Sequence, residues 1–509
     1  MSASPSSSPS PSPSPIHIGT DNTGLWRVNQ TYEASDRVST LLQTDVDTHH
    51  VYFNNAGFHN HISHHLLSLY GTGADARAIQ EGYDFNKDYQ RPAKPVHKPG
   101  KGNKGKGSDS PTEGAPADDD WYETTAPKHL GQESYYPDFL QFFQHDIARR
   151  DKERDSSGLE GWQAVLLDRL FSGTPAAEDL LVRLFGGFLH PLIQLMYGIE
   201  WGQPTIVAQG LAQAAIHKLQ GLDEFLHDAE KAAAAAASAA PDKNKTAPAS
   251  IISLFQAVAK SPALSSSAHF EDSNKLLQGV LGRAREKMTA VAARVTVPTT
   301  EEGLAARTAE MAEACVFVAA SAALHPPKYP KFDFFLLHHV TSIPFFLALN
   351  SFSWVPIEAK ARILAWKIRM DLAQYAARAC PPLRNVMAIE RYQTPDGDDA
   401  DNANNNNVAA ATTTADNISP EAAAAAARLF HFDEDGHAIK LVRATGLTER
   451  LVRQSAYTTL PCRILNSDSV WEAIYRLETD SVKSPGGEFV RTAGLEQSWN
   501  DVPDMPSKL

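Results

Sequence analysis

The hydrophobic pattern of this chain predicts helices along almost its whole length. Apolar residues recur at three- and four-residue spacing in one segment after another, as at Phe139, Phe142 and Phe143 and again at Leu180 and Leu184. This spacing places them on one face of a helix. The strict alternation expected of a half-buried strand is nearly absent. We therefore predict an all-α fold, built as a single large helical-bundle domain.

Low-complexity segments interrupt the helical pattern but do not divide it into two domains. The predicted domain covers residues 17–485, with a disordered Ser/Pro-rich tail at 1–16 before it and a C-terminal tail at 486–509 after it. The insertions share a composition that is too polar, or too rich in small residues, to form a core. They lie at about residues 93–120, 231–249 and 396–418.

Composition narrows the possible partners and compartment. The formal net charge of -13 at pH 7 argues against nucleic acid or an anionic membrane as a partner. The three cysteines, Cys315, Cys380 and Cys462, form no CxxC motif and are typical of a reducing compartment. The N-terminal segment lacks the regions of a secretory signal, and no apolar run approaches the roughly 18 residues of a membrane helix. We therefore expect a cytoplasmic protein.

The sequence lacks the motifs of several large enzyme classes. Residues 71–76 match G-x-G-x-x-A, but they follow a predicted helix instead of the strand that a dinucleotide fingerprint requires. We interpret them as a helix end and turn. No HExxH motif of zinc proteases, GxSxG motif of hydrolases or Walker A motif of NTPases is present. The chemistry must therefore be sought in other residue clusters.

One helical segment carries four histidines within seven residues, His59, His61, His64 and His65. Residues three and four apart share a face of a helix, so the last three would project together. Neutral imidazoles are common ligands of iron, zinc and copper. The cluster therefore indicates either a metal site or a histidine-rich turn with hydrogen-bonded core histidines, and its spacing leaves both open.

Three further apolar segments each contain a polar residue, namely His190, His338 and Lys367. A histidine in the core commonly makes its hydrogen bond to a backbone carbonyl. The ammonium of Lys367 can pair with Asp371, one turn away, or extend to water. We interpret His217, on another apolar stripe, as a packing residue. However, separate helices that each place a polar residue in an apolar face are how metal sites in bundles are built. Their coincidence favours a metal site.

Five blocks of sequence occur in order between about residues 50 and 380. They are Asn60-His61 with His64-His65-Leu66-Leu67, Tyr83-Asp84 to Tyr89-Gln90-Arg91-Pro92, His190-Pro191-Leu192-Ile193 to Gly198-Ile199-Glu200, Lys328 to Asp333-Phe334-Phe335-Leu336-Leu337-His338, and Trp366-Lys367-Ile368-Arg369-Met370-Asp371-Leu372. Together they resemble the questin oxidase-like family of fungal aromatic-polyketide pathways.

The resemblance implies that a ring of an anthraquinone-type polyketide is opened with dioxygen. It further implies one non-haem iron, Fe(II), held by histidines and a carbamylated lysine, and no flavin domain. Carried onto matching positions, it implies His61, His65, His190, His338 and Lys367 as metal ligands, with Lys367 and His338 also catalytic. His65 is preferred over His64 because it is four residues from His61. Family members often have histidine at the position of Gln194, which is therefore not an obligatory ligand.

Two alternative functions stay open at this point. One is a Baeyer–Villiger-type monooxygenase that takes electrons from NADPH without a bound metal. The other is a non-catalytic helical protein that binds a polyketide intermediate. The ring-cleaving oxygenase needs a flat apolar pocket for an anthraquinone or its hydroquinone, and we expect the aromatic side chains Phe334, Phe335, Phe345 and Trp366 to supply it. The alternative is that these side chains are ordinary core residues.

Overall fold

The computed structural model describes residues 14–97, 119–154, 158–239, 248–394, 418–454 and 463–506, and the all-α prediction is confirmed. These residues contain no strand, only isolated bridges such as that between His49 and Pro92. The α-helices in chain order are α1 (Tyr32–Thr48), α2 (Ile62–Thr72), α3 (Ala76–Lys87), α4 (Tyr136–Lys152), α5 (Gly161–Phe171), α6 (Pro175–Arg183), α7 (His190–Glu200), α8 (Pro204–Ile216), α9 (Leu222–Ala239), α10 (Ile251–Lys260), α11 (Pro262–Ser265), α12 (Leu281–Arg283), α13 (Arg285–Ala292), α14 (Glu301–Ala323), α15 (Phe334–Thr341), α16 (Ile343–Ser351), α17 (Ile357–Ala377), α18 (Val386–Glu390), α19 (Pro420–Ala427), α20 (His437–Gln454) and α21 (Asp468–Lys483). Short 3₁₀ or π turns occupy Gly24–Trp26, Trp121–Thr125, Ala126–His129, Glu133–Tyr135, Gly187–Leu189, Lys275–Val280 and Glu496–Trp499.

Local sequence signals explain where many helices begin. Thr31, Thr174 and Thr300 each accept a backbone N–H with the side chain at the N-cap of α1, α6 and α14. This hydrogen bond satisfies one of the donors that a helix start leaves free. Pro175 and Pro204 occupy the first turn, where a missing N–H costs nothing. The helix boundaries are therefore encoded largely by residues next to them.

The apolar pattern at residues 332–350 predicts one helix, but the structure has two helices there. Pro344 follows the break between α15 and α16, and proline cannot donate the backbone hydrogen bond that a continuous helix needs there. The segment Phe334–Ser351 is nevertheless long and apolar enough to cross a membrane, judged by length and composition alone, with a mean hydropathy of 1.3. This contradicts the expectation that no run approaches that length. The segment is 72% buried inside the protein, as core helices are.

Both ends of the described chain pack against the helices. Ile18 is fully buried near the N-terminal end. In the segment predicted as a C-terminal tail, the amides of Thr492 and Ala493 each donate to a carboxylate oxygen of Asp333 at 2.8 Å. The Asp333 side chain also caps α15. The C-terminal segment is therefore attached to the helix that carries His338.

The predicted insertions lie largely outside the described residues, which omit 98–118, 240–247 and 395–417, and the same is true of Cys462 and most of the Ser/Pro-rich segment. The alanine-rich residues 231–239 are described and continue α9 as regular helix. Alanine has the highest intrinsic helix propensity, so a run of alanine extends a helix that has already begun.

Candidate metal centre

Four buried histidines from distant parts of the chain lie close together. His61 is the N-cap of α2, His190 and His437 are the first residues of α7 and α20, and His338 lies in α15. The Nε2 atoms of His61 and His190 are 2.9 Å apart, and those of His338 and His437 are 3.3 Å apart. Ring nitrogens of His61, His190 and His437 all lie within 4.8 Å of one another.

One carboxylate orients two of these rings. Nδ1–H of His61 donates to one oxygen of Asp435 at 3.2 Å, and Nδ1–H of His437 donates to the other. A carboxylate only accepts hydrogen bonds, so each Nδ1 carries the ring proton. Each Nε2 therefore presents a lone pair. A carboxylate behind a ligating imidazole is a common second-shell arrangement in metal sites.

Backbone carbonyls orient the other two rings in the same way. Nδ1–H of His190 donates to the carbonyl oxygen of Gly187 at 2.6 Å, and Nδ1–H of His338 donates to that of Phe334 at 2.5 Å. These oxygens also only accept. All four histidines therefore have the same tautomer, with Nε2 unprotonated and directed at the other rings.

Burial keeps these imidazoles neutral. It lowers the pKa of His61 to about 3 and the pKa of His190 and His338 well below the usual range, and it lowers that of His437 as well. Four converging lone pairs with no proton between them repel one another unless a cation lies among them. Neutral imidazoles are suitable ligands for divalent iron, zinc or copper. The donor set therefore fits a metal ion.

The backbone before His190 adopts an uncommon conformation. Gly187, Phe188 and Leu189 have consecutive positive φ angles of 52°, 57° and 67°. Such angles are costly for non-glycine residues and are often found at functional sites. This turn directs the carbonyl of Gly187 back at the His190 ring. A Cβ atom on Gly187 would lie 2.2 Å from Nε2 of His217, so no other residue fits here.

We predict that Gly187→Ala destabilises the protein and lowers its metal content, because the new methyl group collides with His217 and shifts the turn that holds His190. Gly202→Ala is the matched control, since Gly202 also has a positive φ of 59° but a Cβ there meets nothing within 4 Å. The control should show only the backbone cost of about 1–2 kcal/mol. Denaturant unfolding and metal analysis measure both effects. Equal losses of stability and of metal content in the two variants would contradict the prediction.

His65 and His64 lie beside this centre but have other partners. Nδ1 of His65 accepts a hydrogen bond from the Asn86 amide at 3.2 Å. A Cβ on Gly436 would lie 2.7 Å from Cβ of His65, so His65 packs directly under the turn before His437. His64 donates from Nε2 to Oε1 of Gln194 at 2.7 Å. Neither ring belongs to the converging set, and both support residues near it.

The structure places Lys367 in a different buried group, which we call the Asp371 cluster. Asp371 accepts hydrogen bonds from the Lys367 ammonium and from Nδ1–H of His339, and the thiol of Cys315 lies 3.3 Å from its second oxygen. The other close contacts of the Lys367 ammonium are sulfur atoms of Cys315 and Met311. Lys367 is therefore not brought together with His61, His190 and His338.

Another buried lysine lies one turn after His437. Lys440 is 3% exposed, and its ammonium has no hydrogen-bond partner among the described residues. Burial lowers its pKa. Its charge in turn helps to lower the pKa of each of the four histidines, as expected of a buried cation near them. His437 and Lys440 were both missed from the sequence, although they share the i,i+3 spacing and the apolar neighbours that singled out other candidates.

A cavity of about 630 Å³ adjoins two of the four histidines, His61 and His190, which form part of its wall. Two of the aromatic residues expected there, Phe334 and Phe335, line it. Trp366 is fully buried elsewhere, with its indole N–H donating to Glu230 at 2.7 Å. Phe345 is not among the lining residues either. Aromatic side chains present in their place are Tyr52, Phe58, Phe185 and Phe188.

Two more histidines connect the candidate metal centre to the cavity. The ring of His59 stacks on that of His190 with centroids 4.0 Å apart. Nε2 of His59 lies 3.1 Å from Nε2 of His217, which also accepts from the hydroxyl of Tyr52 at 3.3 Å. His217 was interpreted as a packing residue, but the structure places it in the cavity wall.

Comparison with known proteins supports the resemblance seen in the sequence. The questin oxidase-like family matches residues 58–445, a region that includes all four histidines and Lys440. The chain is 31% identical to the questin oxidase of Aspergillus fumigatus, over 92% of this chain and 94% of that protein. It is also 31% identical to the Baeyer–Villiger monooxygenase AacuH of Aspergillus aculeatus (93% and 91% covered) and 30% identical to the oxidoreductase AflY of Aspergillus parasiticus (96% and 92%). The chain therefore belongs to the questin oxidase-like family and is an oxidoreductase of the questin oxidase and Baeyer–Villiger oxidase group.

Proposed function

We propose that this protein is a metal-dependent oxygenase that uses dioxygen to open a ring of an anthraquinone-type aromatic polyketide. The observation that carries the proposal is the grouping of neutral Nε2 lone pairs from four histidines, two of which line an aromatic cavity. The names of the relatives, questin oxidase and Baeyer–Villiger monooxygenase, support the reaction class. The predicted ligand His65 is replaced in this proposal by His437, whose nitrogen faces the others.

The residues that would hold a single Fe(II) ion are His61, His190, His338 and His437. When bound, Fe(II) supplies a redox-active centre for the activation of dioxygen. The protein contributes four neutral donors in fixed tautomers, with Asp435 orienting two of them. The fifth donor needs negative charge, because imidazoles alone leave the ion's charge uncompensated in a buried site.

We assign the role of the carbamylated lysine to Lys440 instead of Lys367. Carbon dioxide adds only to a neutral amine, and burial without a partner favours the neutral form of Lys440. The carbamate would provide the anionic oxygen donor. The amine of Lys367, in contrast, is already bound by the Asp371 carboxylate. The two buried lysines therefore differ in whether the nitrogen has a partner among the residues that the structure describes.

The cavity residues would bind and orient the substrate. Phe334 and Phe335 offer apolar surface for a flat ring system. The exposed guanidinium of Arg491 lies over the ring of Phe334 at 5.3 Å and lines the same cavity. Nearly complete burial of the four histidines keeps bulk water away from the reacting part of the ligand.

Metal analysis of two lysine variants tests the proposal. We expect about one iron per chain in wild-type protein purified without added metal, a large loss of iron in Lys440→Met and retention in Lys367→Met. The two substitutions remove equally buried lysines, so each controls for the other. Loss in Lys367→Met and retention in Lys440→Met would return the ligand role to Lys367. Metal-free wild-type protein that oxidises an anthraquinone with NADPH would overturn the metal-dependent mechanism.

A further inference from the structure

The Asp371 cluster reaches the cavity through His339. This histidine follows His338 on α15 and lines the cavity, whereas Asp371, Lys367 and Cys315 lie behind it. None of these four residues belongs to the converging histidines. A buried carboxylate that holds a cavity-facing imidazole from behind sets which ring nitrogen carries the proton.

The surroundings of Asp371 determine the tautomer of His339. Asp371 is a carboxylate paired with the Lys367 ammonium, so it accepts hydrogen bonds and donates none. The single negative charge of Asp371 is already paired with the Lys367 ammonium, so a second cation on the buried His339 ring would have no counter-charge, and the ring is neutral. The single ring proton is therefore on Nδ1, in the hydrogen bond to Asp371. Nε2 has the lone pair.

Nε2 of His339 is free to receive a ligand. It has no hydrogen-bond partner among the described residues. It is also not one of the unpaired polar atoms that are completely buried, so it is open to contact. His217 provides a comparison in the same cavity, since its Nδ1–H also donates to a carbonyl oxygen, that of Gln213, at 2.6 Å. Its Nε2, however, is already engaged by Tyr52 and His59. Of these two imidazoles, His339 is the one with an unused acceptor.

We infer that His339 binds a free hydroxyl group of the aromatic substrate and discriminates against the corresponding methyl ether. A phenolic hydroxyl donates its proton to Nε2 and completes the hydrogen bonding of the ring. A methoxy oxygen only accepts, so it would place its lone pairs against that of Nε2 and leave both atoms unsatisfied. The inference rests on the proposed function, which supplies the class of ligand, an aromatic polyketide. It adds that the site selects a free hydroxyl group on that ligand.

Binding of two matched probes tests this inference. The dissociation constants of 2-hydroxyanthraquinone and 2-methoxyanthraquinone are measured by quenching of tryptophan fluorescence, without dioxygen and at a pH that keeps the phenol protonated. Wild-type protein should bind the hydroxyl compound roughly tenfold more tightly. The ratio of the two constants is compared within each variant, so a general loss of affinity cancels.

His339→Asn should reduce that ratio to about one. The asparagine amide can keep a hydrogen bond to Asp371 but places no acceptor where Nε2 was. His217→Asn is the matched control and should keep the wild-type ratio, because the nitrogen that it removes is already occupied. If His339→Asn does not fold, His339→Phe carries the same expectation, and thermal unfolding identifies a misfolded variant.

The outcomes separate this inference from the proposed function. Equal binding of both probes by wild-type protein would overturn the inference and leave the function standing. If His339→Asn still prefers the hydroxyl compound to the methoxy compound, another residue recognises the hydroxyl group, and the inference is also overturned. Binding of neither probe by iron-loaded wild-type protein would overturn the proposed substrate class, and the inference with it.

Discussion

Replacing His437 by alanine is expected to abolish iron binding and ring-cleaving activity together. His437 lies within reach of His61 and His190 and next to His338, and it shares Asp435 with His61. Its loss therefore removes a donor and leaves one oxygen of that carboxylate without its partner. Losing a residue behind a ligand already costs about 10–100-fold in metal affinity, and losing a ligand should cost at least as much. Iron per chain and substrate-dependent dioxygen uptake are the two measurements.

The control for this variant is His65→Gln. It removes a histidine that the sequence favoured as a ligand, keeps the Cβ atom that packs against Gly436, and should retain iron. Loss of iron in His65→Gln together with retention in His437→Ala would show that the four-histidine set is wrong. If both variants lose iron but unfold at the same temperature as the wild-type protein, the turn that packs on His65 controls the position of His437.

Arg443→Met is expected to lower the free energy of unfolding by about 3–5 kcal/mol, which is a large fraction of the total stability of a typical domain. Arg443 and Glu200 form an ion pair in which each side chain is only 1% exposed. Glu200 also accepts the backbone N–H of Leu25 at 2.6 Å, so the pair connects α7, α20 and the N-terminal segment. Removing the arginine leaves a buried carboxyl without its cation, and burial already raises the pKa of Glu200.

Denaturant unfolding of three variants measures this effect. In the double variant Glu200→Gln with Arg443→Met, no uncompensated charge remains, and much of the stability should return. Arg77→Met breaks a pair on the surface of α3, where the arginine is 74% exposed, and should leave unfolding unchanged within error. Equal loss in the single and double variants would indicate that packing of Arg443 on the ring of Trp201, and not its charge, is what matters.

Most of the fold follows from local patterns, because helix formation depends on neighbouring residues. The apolar periodicity predicts helices at 251–260, 301–324 and 357–380, and α10, α14 and α17 match these ranges to within three residues. The break in the segment at 332–350 was missed even though Pro344 marks it. Apolar periodicity continues across the break, so the pattern alone does not reveal it.

The candidate site was only partly predictable, because its residues come together through tertiary packing. His190 and His338 were identified as polar residues in apolar helices, and the structure places both in the converging set. The choice of His65 assumed that His61 lies inside the helix. In fact His61 is the N-cap, with φ of −104° and ψ of 2°, so helical spacing does not describe where its ring points.

The two buried lysines show what local sequence does and does not encode. Lys367 has Asp371 four residues later, and that spacing correctly indicates the ion pair that the structure contains. Lys440 has a similar apolar context, but no acidic residue lies three or four positions away to indicate an ion pair. Only the folded chain distinguishes the paired amine from the unpaired one.

The four converging histidines span almost the whole domain, from the start of α2 to the start of α20. Contacts between residues so far apart in sequence form late and slowly during folding, because long loops must close first. Since an ion would bind the completed site and not the unfolded chain, bound metal adds its binding free energy to the stability of the native state. The metal-free and metal-loaded proteins should therefore differ in resistance to proteolysis at the segment that joins α19 to α20. Cells that produce this chain faster than they supply metal would accumulate the more susceptible form.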